Sequence, residues 1–560
     1  AGGGGGVGGG GGGGGGVAAD AWTRVDEEED NKGNGGGSAE AGGGGHIGVG
    51  AAALAAIFSS PEWAALQGGG SSTSSASNDD EDGDGEGEVD GGAGLRPLQS
   101  SFLRASSERL CDPLRFMFPE AVAVDETGAA IPVLPQLPSR YDLAKLDAAI
   151  RDELSLADPR EGGGELSMTT MLAGNVVDMV GQFCAAAGGA TSDAGEEGFL
   201  KEEDGAATEA LLHDMKVAGV MNTLATSLRS VPENTFIVPY RPAHSPQHED
   251  AANLCRQSLK PALSEIDSLV KANVLAPLSR ALNRRVASAI SKMHKGAYLE
   301  ENMGGGGGGM GDPMSDPMSS EGGGGGGGFV QRHLAAVYES IASYHLSKLP
   351  PEYASVVAST VASHSIYSFV SHASLVRPLG EMGRLRITQD LADFELSLEQ
   401  LVFKGGSTAS LGSMDGGRPY AELRAVRNML FWTGLDGGGE DSAKPADVAK
   451  AMLREAWVRD VRPSTAFHFL FSFAPPLLSS PHHAKRMSAE EYVGTLVRLD
   501  GTVDDGEASA WMTTMRCCES YQQRESVDLG GGARGKGGGD RRVAAILMIL
   551  GPELLRRRRL

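Results

Sequence analysis

The chain has 560 residues, 82 of them Gly, and a formal net charge of −24; it is long enough for several domains of about 100 to 200 residues each. Gly stands at about twice its usual share of roughly 7%, and residues 1–96 alone carry 16 acidic and 3 basic groups, so −13 of the charge sits there. An acidic balance of this kind argues against a general nucleic-acid binder, because that affinity rests on neutralising phosphates with Lys and Arg.

In chain order, the glycines come first. The runs Gly2 to Gly6, Gly8 to Gly16 and Gly42 to Gly45, with the acidic clusters Asp26 to Asp30 and Asp79 to Asp90, predict a disordered arm over residues 1–97. Such a segment loses maximal backbone entropy on ordering and has little apolar surface to bury. No early stretch reads as a signal peptide: Ala51 to Phe58 is a short apolar run without a basic leader. A chain that starts at Ala1 and not Met also reads as a fragment or an uncertain gene model. No run approaches about 18 to 20 consecutive apolar residues, so no spanning helix is expected. Five scattered cysteines, Cys111, Cys184, Cys255, Cys517 and Cys518, suit a reducing compartment better than a disulfide framework.

Beyond the arm the apolar period is helical. Ser139 and Asp142 have the spacing of a helix start, followed by Leu143, Leu146, Ile150 and Leu154. Met168, Leu172, Val176, Met179 and Phe183 repeat the period, as do Leu211, Met215, Ala218, Met221, Leu224 and Leu228. One long helix is predicted from Leu259 to Met293, kinked or divided at Pro277. Val122 to Val133 and Thr235 to Pro239 are apolar but interrupted, and read as loops. A Met- and Gly-rich insertion occupies residues 303–328, with Gly304 to Gly309 and Gly322 to Gly328, and reads as flexible.

The period resumes with Val330, Leu334, Val337, Ile341 and Tyr344 and again over Glu352 to Leu375. Pro378 disfavours helical geometry at Arg377, while Gly380 and Gly383 free the backbone for a corner. After that corner Ile387, Leu391, Phe394, Leu398 and Leu401 recur at spacings of four, three, four and three, one face of a new helix. Thr388, Asp390, Asp393, Glu395 and Glu399 fall mainly on the other faces, which predicts a charged side in water. Further helices are expected at Tyr420 to Phe431, Ser464 to Phe473, Ser488 to Leu499 (with a Ser488/Glu491 capping box), Glu507 to Tyr521 and Arg541 to Leu555. Phe467, Phe469, Leu470, Phe471 and Phe473 crowd several faces, as in a buried helix.

The block His372 to Leu391, HASLVRPLGEMGRLRITQDL, with its continuations ADFELSLEQL, RPYAELRAVRNMLFW and FHFLFSFAPPLLSSP, resembles the signature of subunit five of the conserved oligomeric Golgi complex, a vesicle-tethering complex. Ala373, Ser374, Leu375, Arg377, Pro378, Leu379, Gly380, Glu381, Gly383, Arg386, Asp390, Glu395 and Leu396 fit the family pattern, and weaker likeness extends the match to roughly residues 98–525. The resemblance implies an all-α fold, an elongated helical-bundle rod of the multisubunit tethering type. The domains expected are the arm at 1–97, an N-terminal helical bundle at 98–302, the insertion at 303–328, a C-terminal bundle with the signature at 329–525, and a Gly-rich linker with a basic terminal helix at 526–560. The function implied is that of a non-enzymatic scaffold without cofactors. It serves intra-Golgi retrograde vesicle transport, and so Golgi glycosylation, as a peripheral protein on the cytosolic face of the Golgi membrane and in the cytosol. The partners implied are the other subunits of the complex, subunit 7 above all, and Golgi trafficking machinery, with no nucleic acid. Arg377, Pro378, Leu379, Gly380, Glu381, Gly383 and Arg386 are the candidate site, as a structural corner or a partner contact.

Catalytic and metal motifs are weak. Gly530 to Lys536 satisfies the GxxxxGK half of a phosphate loop, but Gly537 stands where a Ser or Thr should hold magnesium. His482 and His483, and Cys517 and Cys518, are adjacent, which is not ligand spacing. His364 and His372 share a predicted helix and read as core or interface histidines. The basic run Arg556 to Arg559 admits two readings, a favourable charge at a helix C-terminus or an attraction to anionic lipid. An alternative of another class, a Gly-rich RNA-associated protein, draws on the Gly runs and this basic end; a nucleotide-dependent enzyme would draw on Gly530 to Lys536.

Overall fold

The structure is a computed structural model that describes residues 95–119, 122–124, 130–132, 134–158, 166–192, 194–201, 205–241, 245–295, 328–377, 379–407, 410–434, 444–472, 478–503, 507–528 and 538–558. Residues 1–94 of the Gly-rich arm, nearly all of the 303–328 insertion, the Gly530 to Lys536 loop, Pro378 and Phe473 lie outside the described residues, whereas residues 95–97, expected to be part of the disordered arm, begin a helix. What is described is all-α, apart from one small hairpin.

The N-terminal helices are α1 (Leu95–Cys111), α2 (Leu114–Met117), α3 (Arg140–Ser155), α4 (Leu166–Gly189), α5 (Glu209–Phe236), α6 (Pro246–Ser258), α7 (Lys260–Val270) and α8 (Ala276–Ser291). The capping box expected at Ser139 forms: its hydroxyl accepts from Asp142 N, and the Asp142 carboxylate accepts from Ser139 N. From there Leu146, Ile150 and Leu154 are buried along α3, which packs on α5. The apolar stripes read on α4 and α5 are also buried, and α4 lies against α1, α6 and α7. Two local readings are corrected. Val122–Val124 and Ala130–Pro132 are not loops but β1 and β2, paired antiparallel with Ala123 opposite Ile131. Thr235 and Phe236 end α5, and Val238–Tyr240 form a 3-10 turn.

The long helix expected over Leu259 to Met293 is present as α7 and α8 joined by a π turn, Lys271–Leu275. The Ala276 N–H donates to Lys271 O, five residues back. This widened turn admits Pro277, which has no N–H to donate and whose ring would crowd a regular turn.

The second group comprises α9 (Phe329–His333), α10 (Ala335–Tyr344), α11 (Pro351–Leu375), α12 (Glu381–Lys404), α13 (Arg418–Leu430), α14 (Pro445–Arg454), α15 (Pro463–Ser472), α16 (Pro481–Ala484), α17 (Ala489–Gly494), α18 (Glu507–Asp528) and α19 (Gly538–Arg558). α17 carries the expected Ser488/Glu491 capping box. It is shorter than the predicted Ser488 to Leu499, because the chain turns back at Gly501 (φ +81°) to bridge Val497 with Val503. A side chain there would need an unfavourable left-handed backbone and would place a Cβ 2.9 Å from Thr360 O.

Helix α11 organises this half. It packs against α12, α13, α15 and α17 and also against α8 from the first group. Every residue from Val361 to Val376 is buried, so over that stretch the helix has no wet face and no amphipathic stripe. Its buried serines are compatible with that because they bond back along the helix: Ser365 Oγ donates to Val361 O and Ser371 Oγ to Tyr367 O, each at 2.7 Å.

Candidate functional site

The corner read from the sequence joins the end of α11 to the start of α12, and its residues divide into inward and outward groups. Arg377 is half-buried. Its guanidinium donates to Leu478 O and, at 3.5 Å, lies beside Ser480 Oγ. Leu379 is buried and its N–H donates to Ser472 O at 3.3 Å. Gly380 is the N-cap residue of α12 with an extended backbone, and Gly383 is buried on the first turn. Glu381 and Arg386 point to solvent. The corner is therefore stitched to the segment around α15 and Leu478 to Ser480, which joins two stretches of the signature nearly a hundred residues apart.

A second junction lies beneath it. Glu422 of α13 and Arg462, just ahead of α15, form a buried ion pair with side chains 2% and 6% exposed. Arg462 Nε donates to Glu422 Oε2 at 2.8 Å and Oε1 at 3.0 Å. Oε1 also accepts from Arg462 N at 3.2 Å and Thr465 Oγ1 at 2.9 Å, so the carboxylate sits at the positive end of α15. The other arm of the guanidinium, Nη2, donates to Ser371 Oγ at 2.9 Å and Tyr367 O at 3.2 Å on α11. One charge pair thus pins three helices. Sequence reading quoted Glu422 within the stretch RPYAELRAVRNMLFW without singling it out and did not name Arg462; no local spacing marks either charge as buried.

The histidines of α11 are buried, as read, and they meet partners from elsewhere. His364 Nδ1 lies 3.0 Å from Arg498 O. His372 Nδ1 lies 3.0 Å from His294 Nε2, and the His482 ring is 6.5 Å from that of His294. Burial pushes the pKa of His294, His364 and His482 down to about 4 each, and holds His372 well below its ordinary value. These rings are neutral packing groups at neutral pH. Among the described residues no group of three or more His, Cys, Asp or Glu is placed to hold a metal ion.

The charged side expected on α12 is only partly observed. Ile387, Leu391, Phe394, Leu398 and Leu401 are buried as read, with Phe394 stacked on Phe369 of α11, ring centroids 4.4 Å apart. Asp390, however, is buried too, accepting from Val330 N at 3.3 Å, and it stands on the flank of the buried face. Glu395 bonds Tyr420 and lies 3.4 Å from Arg427 of α13. What faces water opposite Leu391 is largely apolar. At the C-terminus, Arg557 donates to Leu453 O of α14 at 2.9 Å, so one arginine of the basic run is held by a neighbouring helix.

No helix among the described residues is long and apolar enough to cross a membrane. No family model matches the chain. No solved structure matches it either. Two curated proteins are similar: conserved oligomeric Golgi complex subunit 5 of Arabidopsis thaliana is 32% identical over 132 residues, 24% of this chain and 13% of that protein. Its counterpart in Mus musculus is 26% identical over 388 residues, 69% of this chain and 38% of that protein. The chain thus matches well under half the length of either relative, and what these matches show is its similarity to conserved oligomeric Golgi complex subunit 5.

Proposed function

We propose that this chain is a non-catalytic scaffold subunit of a Golgi vesicle-tethering complex. In this reading it acts in intra-Golgi retrograde transport, and so in keeping glycosylation in order, while bound peripherally to the cytosolic face of the Golgi membrane. Its direct partner is subunit 7 of the complex. The observation that carries the reading is the convergence of the signature segments on α11: Arg377 reaches Leu478 and Ser480, and Glu422 with Arg462 locks α13 and α15 to Ser371. A buried lattice of this kind fixes helices at set angles, which is what a subunit needs in order to hold several weak contacts at once. The corner residues Arg377, Pro378, Leu379, Gly380 and Gly383 set that angle, and Glu381 and Arg386 offer outward charge to a partner.

The test is co-expression of the full chain with tagged subunit 7 and the remaining subunits, followed by purification on the tag. Stoichiometric recovery of the chain is expected, with Glu381→Ala and Arg386→Ala weakening recovery while circular dichroism stays that of the wild type. Absence of the chain from the purified complex would overturn the proposal.

A further inference from the structure

Helices α8, α11 and α17 border a cavity of about 220 Å³ where the first helix group meets the second. Val493, Val497 and Leu499 give it apolar walls, and Arg284 and Glu490, both exposed, stand at its mouth. Along α11 it is lined by His364, Ser368 and His372, a polar stripe at four-residue spacing on one side of the helix. The volume exceeds the roughly 150 Å³ of an engineered apolar cavity that takes up benzene, so a molecule of one ring is within its capacity.

The stripe decides what kind of molecule suits it. His364 Nδ1 lies 3.0 Å from Arg498 O and His372 Nδ1 lies 3.0 Å from His294 Nε2, so neighbouring segments hold both ends. Ser368 between them is 1% exposed, and its Oγ has no hydrogen-bond partner among the described residues. Ser365 and Ser371 on the same helix bond back to carbonyls four residues earlier; Ser368 does not. A buried hydroxyl left unpaired is destabilising, and an occupant that brings one hydrogen-bonding group relieves it. Water alone suits the place badly, because a buried water needs about two to four polar partners and the walls toward α17 are aliphatic. An ion suits it no better. Arg284 already pairs with Glu196 at 3.3 Å, Glu490 opposes it in sign, and burial keeps His364 and His372 uncharged at neutral pH, so nothing inside would compensate a buried charge.

We infer that this cavity is a binding site for a small uncharged molecule, an apolar body of about one ring bearing a single hydroxyl, which Ser368 receives while Val493, Val497 and Leu499 cover the ring. An occupant there ties α8 of the first helix group to α11 and α17 of the second. The inference goes beyond the scaffold reading and does not depend on which complex the chain serves.

Saturation-transfer NMR on the purified full chain, titrated with phenol, should show saturable binding. Toluene, which keeps the ring and lacks the hydroxyl, should bind more weakly, and benzoate, which carries a charge, should bind more weakly still. Ser368→Ala should weaken phenol binding about fivefold, the worth of one hydrogen bond, and leave toluene within about twofold, a split that a merely structural role of Ser368 does not produce. Gly494→Leu should weaken both, because Gly494 lines the cavity and a Cβ added there meets no atom within 4 Å, so the larger side chain narrows the space without a clash. Absence of saturable phenol binding overturns the inference. So do equal losses of phenol and toluene in Ser368→Ala, benzoate binding as tight as that of phenol, or a Gly494→Leu variant that binds phenol like the wild type. Failure of phenol to bind a chain that still enters the tethering complex would sink this inference and leave the scaffold reading intact.

Discussion

Glu422 Oε1 and Oε2 accept both the side chain and the backbone of Arg462 at 2.8 to 3.2 Å, while the guanidinium plane stands 4.9 Å from the ring centre of Tyr367. Neither charge reaches solvent, so the pair holds α11, α13 and α15 together and depends on its partners for its own solvation.

Removing one member should therefore be far more damaging than removing both. Arg462→Ala leaves a buried carboxylate unpaired and should cost about 3 to 5 kcal/mol. Glu422→Leu with Arg462→Met, which fills the same space with apolar atoms, should cost less than either single change. Urea melts of Glu422→Leu, Arg462→Met and the double variant form a double-mutant cycle; additive costs would remove the pair from the account.

The two faces of α12 predict opposite responses to one chemical change. Leu391→Asp buries a charge and should cost several kcal/mol, with loss of helicity on mild heating. Leu396→Asp, on the wet side, should stay within about 0.5 kcal/mol of wild type. Thermal melts by circular dichroism check both.

Stability should fall on acidification through the buried histidines. Burial lowers the His364 pKa from 6.5 to about 4, against the opposing pull of Arg498 O, Asn283 O and Asp500. Its folded pKa lies below the unfolded one, so as pH falls the unfolded chain takes up the proton first. The stability is complete above pH 6.5 and declines toward about 4, with a slope of about 1.4 kcal/mol per unit for each such histidine. Denaturant melts from pH 7.5 to 4.5 should show this decline, and His364→Gln should flatten it.

At the corner, Arg377→Ala should cost about 1 to 3 kcal/mol, because Leu478 O loses its donor inside the fold. Glu381→Ala should leave the melting temperature unchanged, since its side chain lies in water. Equal effects would mean that the two residues do not divide into inward and outward roles.

Periodicity made most of the helices legible, because apolar residues at three- and four-residue spacings mark a buried face whatever lies opposite; α3, α4 and the inner row of α12 follow from it. Capping at Ser139 and Ser488 was equally readable, being set within three residues. The pairing of Glu422 with Arg462 and of His372 with His294 was not. Such contacts join residues 40 and 78 positions apart, and no local spacing records which helices will meet. Asp390 misled for the same reason: its place beside the apolar row suggested solvent, but the N–H of Val330 from another helix gives it a partner. The hairpin β1–β2 was missed because each strand has three residues, too few for alternation to show.

Helix α11, wrapped on every side from Val361 to Val376, has a mechanical consequence. Neighbours on several sides grip that stretch, so tension applied between α8 and α15, both packed against it, is borne as sideways shear over many interlocked side chains at once. A sheared contact of that kind yields only when the whole surface slips, whereas a helix held at its tip peels away turn by turn. Over those residues α11 is the keel of this half, held by α8, α12, α13, α15 and α17 at once.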